Sequence, residues 1–355
     1  MRARWRAVHW AIPLGGLLAL TASGGASERS EPDPNTIIPY VDLHVDLAYQ
    51  HNYKDAPCLR GTGQFSESLV RQGGLAAVVL PLFVPFSVSK QGPRLSDYER
   101  SWQNMERCLD AQTTYVHPGV EPGINQVRTF YSFEGMGPFG TDLPDLERWF
   151  RRGVRLFGLV HNQHNALAAS ALAIHEEDIG LTALGQQVVT RVYQLGGLVD
   201  ISHASDHAAT DVLQIAMKLE RPVVASHSNV RHIVNHPRNL SDELIDGIAK
   251  TGGIIGINFH SAFLVHGRRA TVADVVKHIL YIANRVGVGH VAIGSDFEGD
   301  IRPPRGLETL GEVQHLVPAL RAAGLTNAEV RGVLGDNALR VLRPMPPDRQ
   351  VLGLH

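Results

Sequence analysis

Short apolar runs alternate with longer amphipathic segments from residue 40 onward. Several runs are apolar at nearly every position, as expected of parallel strands that are covered on both faces. Eight of them are predicted to be β-strands: residues 40–47, 75–84, 129–135, 154–161, 198–203, 222–228, 253–260 and 290–297.

Segments with helical periodicity lie between these runs. Leu184, Val188, Val192 and Leu195 recur at the spacing that places side chains on one face of a helix. Eight strand–helix units predict an α/β protein with a (β/α)8 TIM-type barrel, and a doubly wound open sheet is the alternative. The long insertion at residues 86–127 is expected to be partly helical. The other predicted helices are residues 242–250, 272–286, 310–323 and 327–342.

The N-terminus differs from the rest of the chain. MRARWR carries three arginines, a mostly apolar stretch from Ala11 to Ala22 follows, and the small residues SGGAS come next. This layout is typical of a cleavable secretory signal, and the stretch is short for a membrane span. An uncleaved anchor or a misassigned start is the alternative. We therefore expect an exported (periplasmic or extracellular) protein without an integral membrane segment once the signal is removed. The expected parts of the chain are a signal peptide (1–26), a linker (27–36), the barrel (37–345) and a tail (346–355).

Composition narrows the choice of partners. The 355 residues are 44% hydrophobic and 19% charged, with a net charge of −2, so nothing indicates binding to nucleic acid or to an anionic membrane. The two cysteines, Cys58 and Cys108, are not spaced as a zinc finger. Export would permit a disulfide between them, but the sequence alone does not show that they meet.

Ionisable residues stand at the ends of six predicted strands. The first strand carries two, and their spacing places both on one face if the strand continues through residue 47. In a barrel, the carboxyl ends of all strands open onto one mouth. The residues concerned are His44, Asp46, Glu134, His161, His203, His227 and Asp296.

Seven polar groups brought to one buried volume would be costly without a partner, and bound cations remove that cost. Mixed imidazole and carboxylate ligands suit zinc or a neighbouring transition metal. Six or seven ligands exceed the needs of one tetrahedral zinc and fit two metals that share a carboxylate, an arrangement that suggests hydrolysis. The alternative is a scatter of core histidines. Neither a GxSxG nor an HExxH motif is present.

Five ordered motifs resemble one known family. DLHVDL, SFEG, LVDISH, VASHSNVR and AIGSDFEG closely resemble the renal or membrane dipeptidases, peptidase family M19, over roughly residues 37–343. The resemblance implies a metal-dependent hydrolase barrel with two Zn²⁺ per chain and dipeptide substrates. The chain departs from the family at Glu298, where an aspartate is common, and at Val45, where asparagine is common.

The resemblance also implies roles for individual residues. Glu134 would bridge the two zinc ions and His161 would hold the substrate near the scissile carbonyl, while Arg238 would bind the substrate carboxylate. Asp296 would bind metal, contact substrate and pass a proton to the leaving amine. The implied metal ligands are His44, Asp46, Glu134, His203, His227 and Asp296.

Two other functions stay open at this stage. One is a related dizinc amidohydrolase acting on another amide, such as a β-lactam or an N-acyl amino acid. The other is an exported metal-binding or peptide-binding protein without catalysis. A homodimer is also left open.

Overall fold

The computed structural model describes residues 36–88, 92–141, 143–173 and 175–343. The predicted signal peptide, nearly all of the predicted linker and the predicted tail lie outside these residues. Among the helices in the described part of the chain, none combines the length and apolarity needed to cross a membrane.

The described residues form a closed parallel barrel with helices between its strands. The strands are β1 (Tyr40–Asp42), β2 (Leu75–Phe83), β3 (Tyr115–Val116), β4 (Val127–Glu134), β5 (Val154–Gly158), β6 (Leu198–Asp200), β7 (Val223–Ala225), β8 (Ile254–Ile257) and β9 (Val291–Ile293). Eight of them close the barrel, because β2 pairs with β4 and β1 pairs with β9. The short strand β3 pairs only with the first two residues of β4. The predicted (β/α)8 fold is confirmed, and the open-sheet alternative is wrong.

Helices occupy every segment that was predicted to be helical, and further helices lie between them. They are α1 (Leu47–Tyr53), α2 (Val70–Gly73), α3 (Leu95–Asp110), α4 (Leu143–Arg151), α5 (Ala183–Gln194), α6 (Asp206–Lys218), α7 (Asp242–Lys250), α8 (Ser261–Leu264), α9 (Val272–Val286), α10 (Leu316–Ala322), α11 (Asn327–Arg331) and α12 (Asn337–Leu342). Helices α7 and α9 have the predicted bounds. The insertion is partly helical, as expected, because it contains α3.

Several predicted helices are divided or shortened. A 3₁₀ segment, Leu310–His315, precedes α10, and a π-helical turn, Gly332–Asp336, joins α11 to α12. Helix α5 begins after Thr182, whose hydroxyl accepts a hydrogen bond from the Gly185 amide at 3.0 Å and so satisfies an unpaired N–H of the first turn.

The predicted first strand is wrong in its second half. Strand β1 ends at Asp42, and Asp46 is already the N-cap residue of α1. The strand stops because the Asp42 carboxylate accepts a hydrogen bond from the His44 amide at 3.1 Å, a local bond that competes with strand pairing. His44 and Asp46 therefore share a site through a strand–loop–helix turn.

Cys58 and Cys108 form a disulfide, with Cα atoms 5.5 Å apart. The bond fixes the loop after α1 to helix α3, which belongs to the insertion after β2. This loop approaches the carboxyl end of the barrel at Glu298, described below.

Candidate metal centre and substrate cavity

The seven ionisable residues predicted at strand ends come together at the carboxyl mouth of the barrel. Glu134 is the last residue of β4, and the others follow their strands by two to four residues. All but His161 and Asp296, which are partly buried, are less than a tenth exposed. The structure therefore gathers the complete predicted ligand set in one place.

Glu134 stands at the middle of this set. Its Oε2 atom is 3.8 Å from His44 Nε2, whereas its Oε1 atom is 2.9 Å from His203 Nε2 and 3.5 Å from His227 Nε2. The two oxygens of one carboxylate thus face opposite groups of ligands. This is the arrangement that a carboxylate shared by two cations requires.

Within this set of described residues, three groups of side chains lie close enough together to hold an ion. Ligand atoms within each group are within 4.8 Å of one another. One group is His44, Asp46 and Asp296, a second is His44, Glu134 and His227, and a third is Glu134, His161 and His203. His161 is thus near enough to act as a ligand as well as to contact substrate.

The His44 imidazole fits a metal site on independent grounds. Both of its ring nitrogens are buried without a hydrogen-bond partner among the described residues, although Nε2 lies 3.4 Å from Asp46 Oδ2. Burial opposes protonation, but the carboxylates of Glu134 and Asp46 outweigh it and raise the pKa of His44 to about 10. The surrounding carboxylates therefore favour a positive charge at His44, which a bound metal ion would supply in place of the proton.

The other two histidines of the predicted ligand set are held in their neutral form. Burial lowers the pKa of His203 and of His227 well below the usual value, so both imidazoles present lone pairs. Their Nε2 atoms are 3.0 Å apart. Asn162 Oδ1 contacts His203 Nδ1 at 3.0 Å and Ser226 Oγ contacts His227 Nδ1 at 2.8 Å, which orients each ring.

Asp296 is held beside Asp46. Burial and the Asp46 carboxylate raise the pKa of Asp296 well above its usual value, while Asn258 Nδ2 donates to Asp296 Oδ2 at 2.8 Å. The backbone φ angles of His203 and Asp296 are 71° and 66°, an uncommon conformation for non-glycine residues. Such local strain is typical of functional sites.

A cavity of about 560 Å³ opens above these ligands. Arg238 lines it and is only 4% exposed, and its Nη2 atom donates to the backbone carbonyl of His227 at 3.3 Å. The guanidinium carbon lies 5.9 Å from the ring centre of Phe263. A buried arginine in a cavity, with one carbonyl as its hydrogen-bond partner here, is suited to bind a carboxylate.

Asp200, which is not among the seven predicted strand-end residues, supports two of the histidines from beneath the cluster. Asp200 Oδ1 accepts hydrogen bonds from the amides of Ser202 at 3.0 Å and Ser226 at 2.9 Å. These serines directly precede His203 and His227. The available sequence signal was an aspartate within an apolar predicted strand, because a buried carboxylate needs hydrogen-bond donors close by.

Glu298 does not line the cavity that holds Arg238. It is buried and accepts hydrogen bonds from Thr62 N at 2.6 Å, Thr62 Oγ1 at 2.7 Å and Phe65 N at 2.9 Å. A Cβ atom on Gly61 would lie 2.2 Å from the Glu298 carboxyl carbon, so glycine is required there. The departure from the family pattern at this position therefore holds a loop in place.

Fold and site together define a (β/α)8 barrel whose mouth carries a histidine–carboxylate site suited to metal ions. More specifically, the chain belongs to the membrane dipeptidase family, peptidase family M19, whose model matches residues 35–347.

Individual relatives agree with this assignment. An uncharacterized dipeptidase of Schizosaccharomyces pombe is 34% identical over 213 residues, which cover 59% of this chain and 50% of the relative. Dipeptidase tcpJ of Claviceps purpurea is 34% identical over 212 residues, which cover 59% of this chain and 49% of that relative. The chain thus spans about half the length of the curated relatives it matches.

A solved structure shares the fold. The metallopeptidase of Rhodobacter sphaeroides, solved with a phosphinate mimic of the dipeptide L-Ala-D-Ala, superposes with a TM-score of 0.76 at 23% identity. The match covers 87% of this chain and 99% of that one. At this identity the likeness concerns the fold alone.

Proposed function

We propose that the protein is a zinc-dependent dipeptidase that hydrolyses dipeptides with a free C-terminal carboxylate. The observation that carries the proposal is that one cavity contains both a carboxylate shared between two ligand groups, Glu134, and a buried cation, Arg238. The first suits hydrolysis of an amide bond, and the second suits a substrate with a carboxylate close to that bond.

The residues that would hold the metals divide into two groups. His44, Asp46 and Asp296 would bind one zinc ion, His203 and His227 would bind the other, and Glu134 would contact both. Two bound cations would polarise the scissile carbonyl and bring the pKa of a water molecule between them near neutrality.

The chain's own groups would direct the reaction. Arg238 would bind the substrate carboxylate through two parallel hydrogen bonds and so fix the distance from the chain end to the scissile bond. His161, whose pKa is lowered by burial, would donate to the developing oxyanion as a neutral imidazole. Asp296 would hold the proton taken from water on Oδ1, because Asn258 donates to Oδ2, and would pass it to the leaving amine.

A substrate panel tests the proposal. Purified protein with bound metal would be given L,L and L,D dipeptides, N-acyl amino acids and a β-lactam, with metal content measured on the same sample. L,D dipeptides are included because the Rhodobacter structure carries such a mimic. Preferential hydrolysis of dipeptides supports the proposal. Preference for another amide would favour the related amidohydrolase, and no turnover with metal present would favour a binding protein.

We also propose export to an oxidising compartment. The arginine-rich and apolar N-terminus supports it, and so does the Cys58–Cys108 disulfide, because such bonds persist mainly outside the cytosol. N-terminal sequencing of protein recovered outside the cytoplasm should begin near Ser27. An intact Met1 on that active protein would refute cleavage.

A further inference from the structure

We infer that a second cavity beside the first binds a large apolar side chain on the amino-terminal residue of the substrate. This side chamber has a volume of about 330 Å³ and is lined by Phe83, Val84 and Pro138, among others. It shares Glu134 and His161 with the central cavity, so it opens directly onto the proposed reaction centre. The inference rests on the proposed function and names its preferred substrates.

The chemistry of the walls favours an uncharged occupant. Glu134 is the only carboxylate among the described lining residues, and it stands at the inner end with the metal ligands. The Tyr98 hydroxyl already donates to a backbone carbonyl. The amide oxygen and nitrogen of Asn165 are both hydrogen-bonded to backbone groups, and so are the two ring nitrogens of His164. Gln163 is exposed to solvent. A charged side chain would lose water in the chamber without gaining a partner, whereas an apolar one would gain from burial.

The positions of the reacting groups decide which residue of the dipeptide enters the chamber. Arg238 and Asp296 line the central cavity but not the chamber, so the carboxylate and the leaving amine would lie away from it. The rings of Phe83 and His161 are 4.5 Å apart between centres, and those of His161 and His203 are also 4.5 Å apart. The chamber is therefore reached past His161, on the acyl side of the scissile bond, where the amino-terminal side chain would be.

The test compares dipeptides that differ only in their first residue. For the unaltered enzyme, kcat/KM for Phe-Gly and Leu-Gly should exceed that for Gly-Gly and Lys-Gly by on the order of 10–200-fold, the range for filling an apolar pocket. Ala166 lines the chamber from an exposed position, so Ala166→Phe should fold and fill its mouth. This variant should lower the Phe-Gly to Gly-Gly ratio at least about tenfold.

Two further variants make the test specific. Val84→Ala should widen the chamber and raise Trp-Gly relative to Leu-Gly. The matched control Ala323→Phe, at an exposed residue that lines neither cavity, should leave every ratio unchanged.

Three results would overturn the inference, and they separate its failure from that of the proposed function. If all the dipeptides are hydrolysed with equal kcat/KM, or if Ala166→Phe preserves the ratio, the chamber does not select the side chain and the proposed function stands. If no dipeptide is hydrolysed by metal-loaded protein, the proposed function fails and the inference fails with it.

Discussion

The carboxylate of Asp42 accepts a hydrogen bond from the backbone amide of Ser295 at 2.9 Å, which joins the first and last strands beneath the metal centre. The same oxygen, Oδ1, accepts the amide of His44. One fully buried side chain therefore fixes the backbone next to two predicted ligands, His44 and Asp296. Tyr40 donates its hydroxyl to the other carboxylate oxygen.

Replacing Asp42 should weaken metal binding even though it touches no metal. Asp42→Ala frees the backbone beside His44 and Asp296, and loss of such supporting contacts typically costs about 10–100-fold in metal affinity. Asp42→Asn, which keeps an acceptor oxygen, should retain more affinity. Titration of the metal-free protein with zinc gives the measurement, and Asp336→Ala, at an exposed aspartate, is the control. Unchanged zinc affinity in Asp42→Ala would contradict this role.

The bound metal should approach two divalent ions per chain. Six ligands in two groups about one shared carboxylate predict this number, and elemental analysis of freshly purified protein measures it. Chelation should abolish hydrolysis, and zinc should restore it. A plateau at one ion with full activity would exclude a two-metal mechanism.

Glu134 and His161 should differ in their effect on metal content. Glu134→Gln should lose metal more readily than His161→Ala, because Glu134 faces both ligand groups whereas His161 is assigned to substrate. Dialysis against a weak chelator followed by metal analysis compares them. If His161→Ala lost metal more readily than Glu134→Gln, the roles assigned to these two residues would be reversed.

His278 should make folding stability depend on pH. It is fully buried, accepts the Val230 amide at 3.1 Å, donates to the Leu264 carbonyl at 3.1 Å, and burial lowers its pKa to about 4. In the unfolded chain His278 has a pKa near 6.5, so it binds a proton at a higher pH than it does in the folded protein. The stability that the neutral His278 contributes is therefore fully present above pH 6.5 and is lost as the pH falls from 6.5 to 4.

The effect of His278 can be isolated by mutation. Between pH 7.5 and pH 5 the unaltered protein should lose about 2 kcal/mol more unfolding free energy than His278→Gln does. Urea unfolding of metal-free protein at both pH values measures the difference and keeps metal release out of it. Equal losses of unfolding free energy in the unaltered protein and in His278→Gln would show that the fold does not hold His278 neutral.

Glu298 should contribute to stability through the loop it holds. Glu298→Ala leaves the amides of Thr62 and Phe65 without their acceptor and should lower the unfolding free energy by at least about 2 kcal/mol. Limited proteolysis should then cut between residues 54 and 66, within the loop, faster than in the unaltered protein. Unchanged stability and cleavage would contradict this account.

The sequence was sufficient to predict the barrel and the gathering of the seven strand-end residues. Apolar runs report strands buried on both faces, and parallel strands necessarily end at a common mouth. It was not sufficient to predict how His44 and Asp46 meet, because the turn after Asp42 depends on a hydrogen bond to its carboxylate. The contact between Glu298 and Thr62 joins residues 236 apart in sequence, and no local pattern predicts it.

We propose that Arg238 binds the carboxylate of a dipeptide above the candidate metal centre. The most direct test is kcat/KM for a dipeptide and for its C-terminal amide, measured with the unaltered enzyme and with Arg238→Ala. Losing a charge-assisted contact in this buried position should cost about 2–4 kcal/mol, or roughly 30- to 1,000-fold, on the free acid. Arg238→Lys should recover only part of it. The loss on the amide should be much smaller, with metal content unchanged. Equal losses on acid and amide would show that Arg238 does not bind the substrate carboxylate.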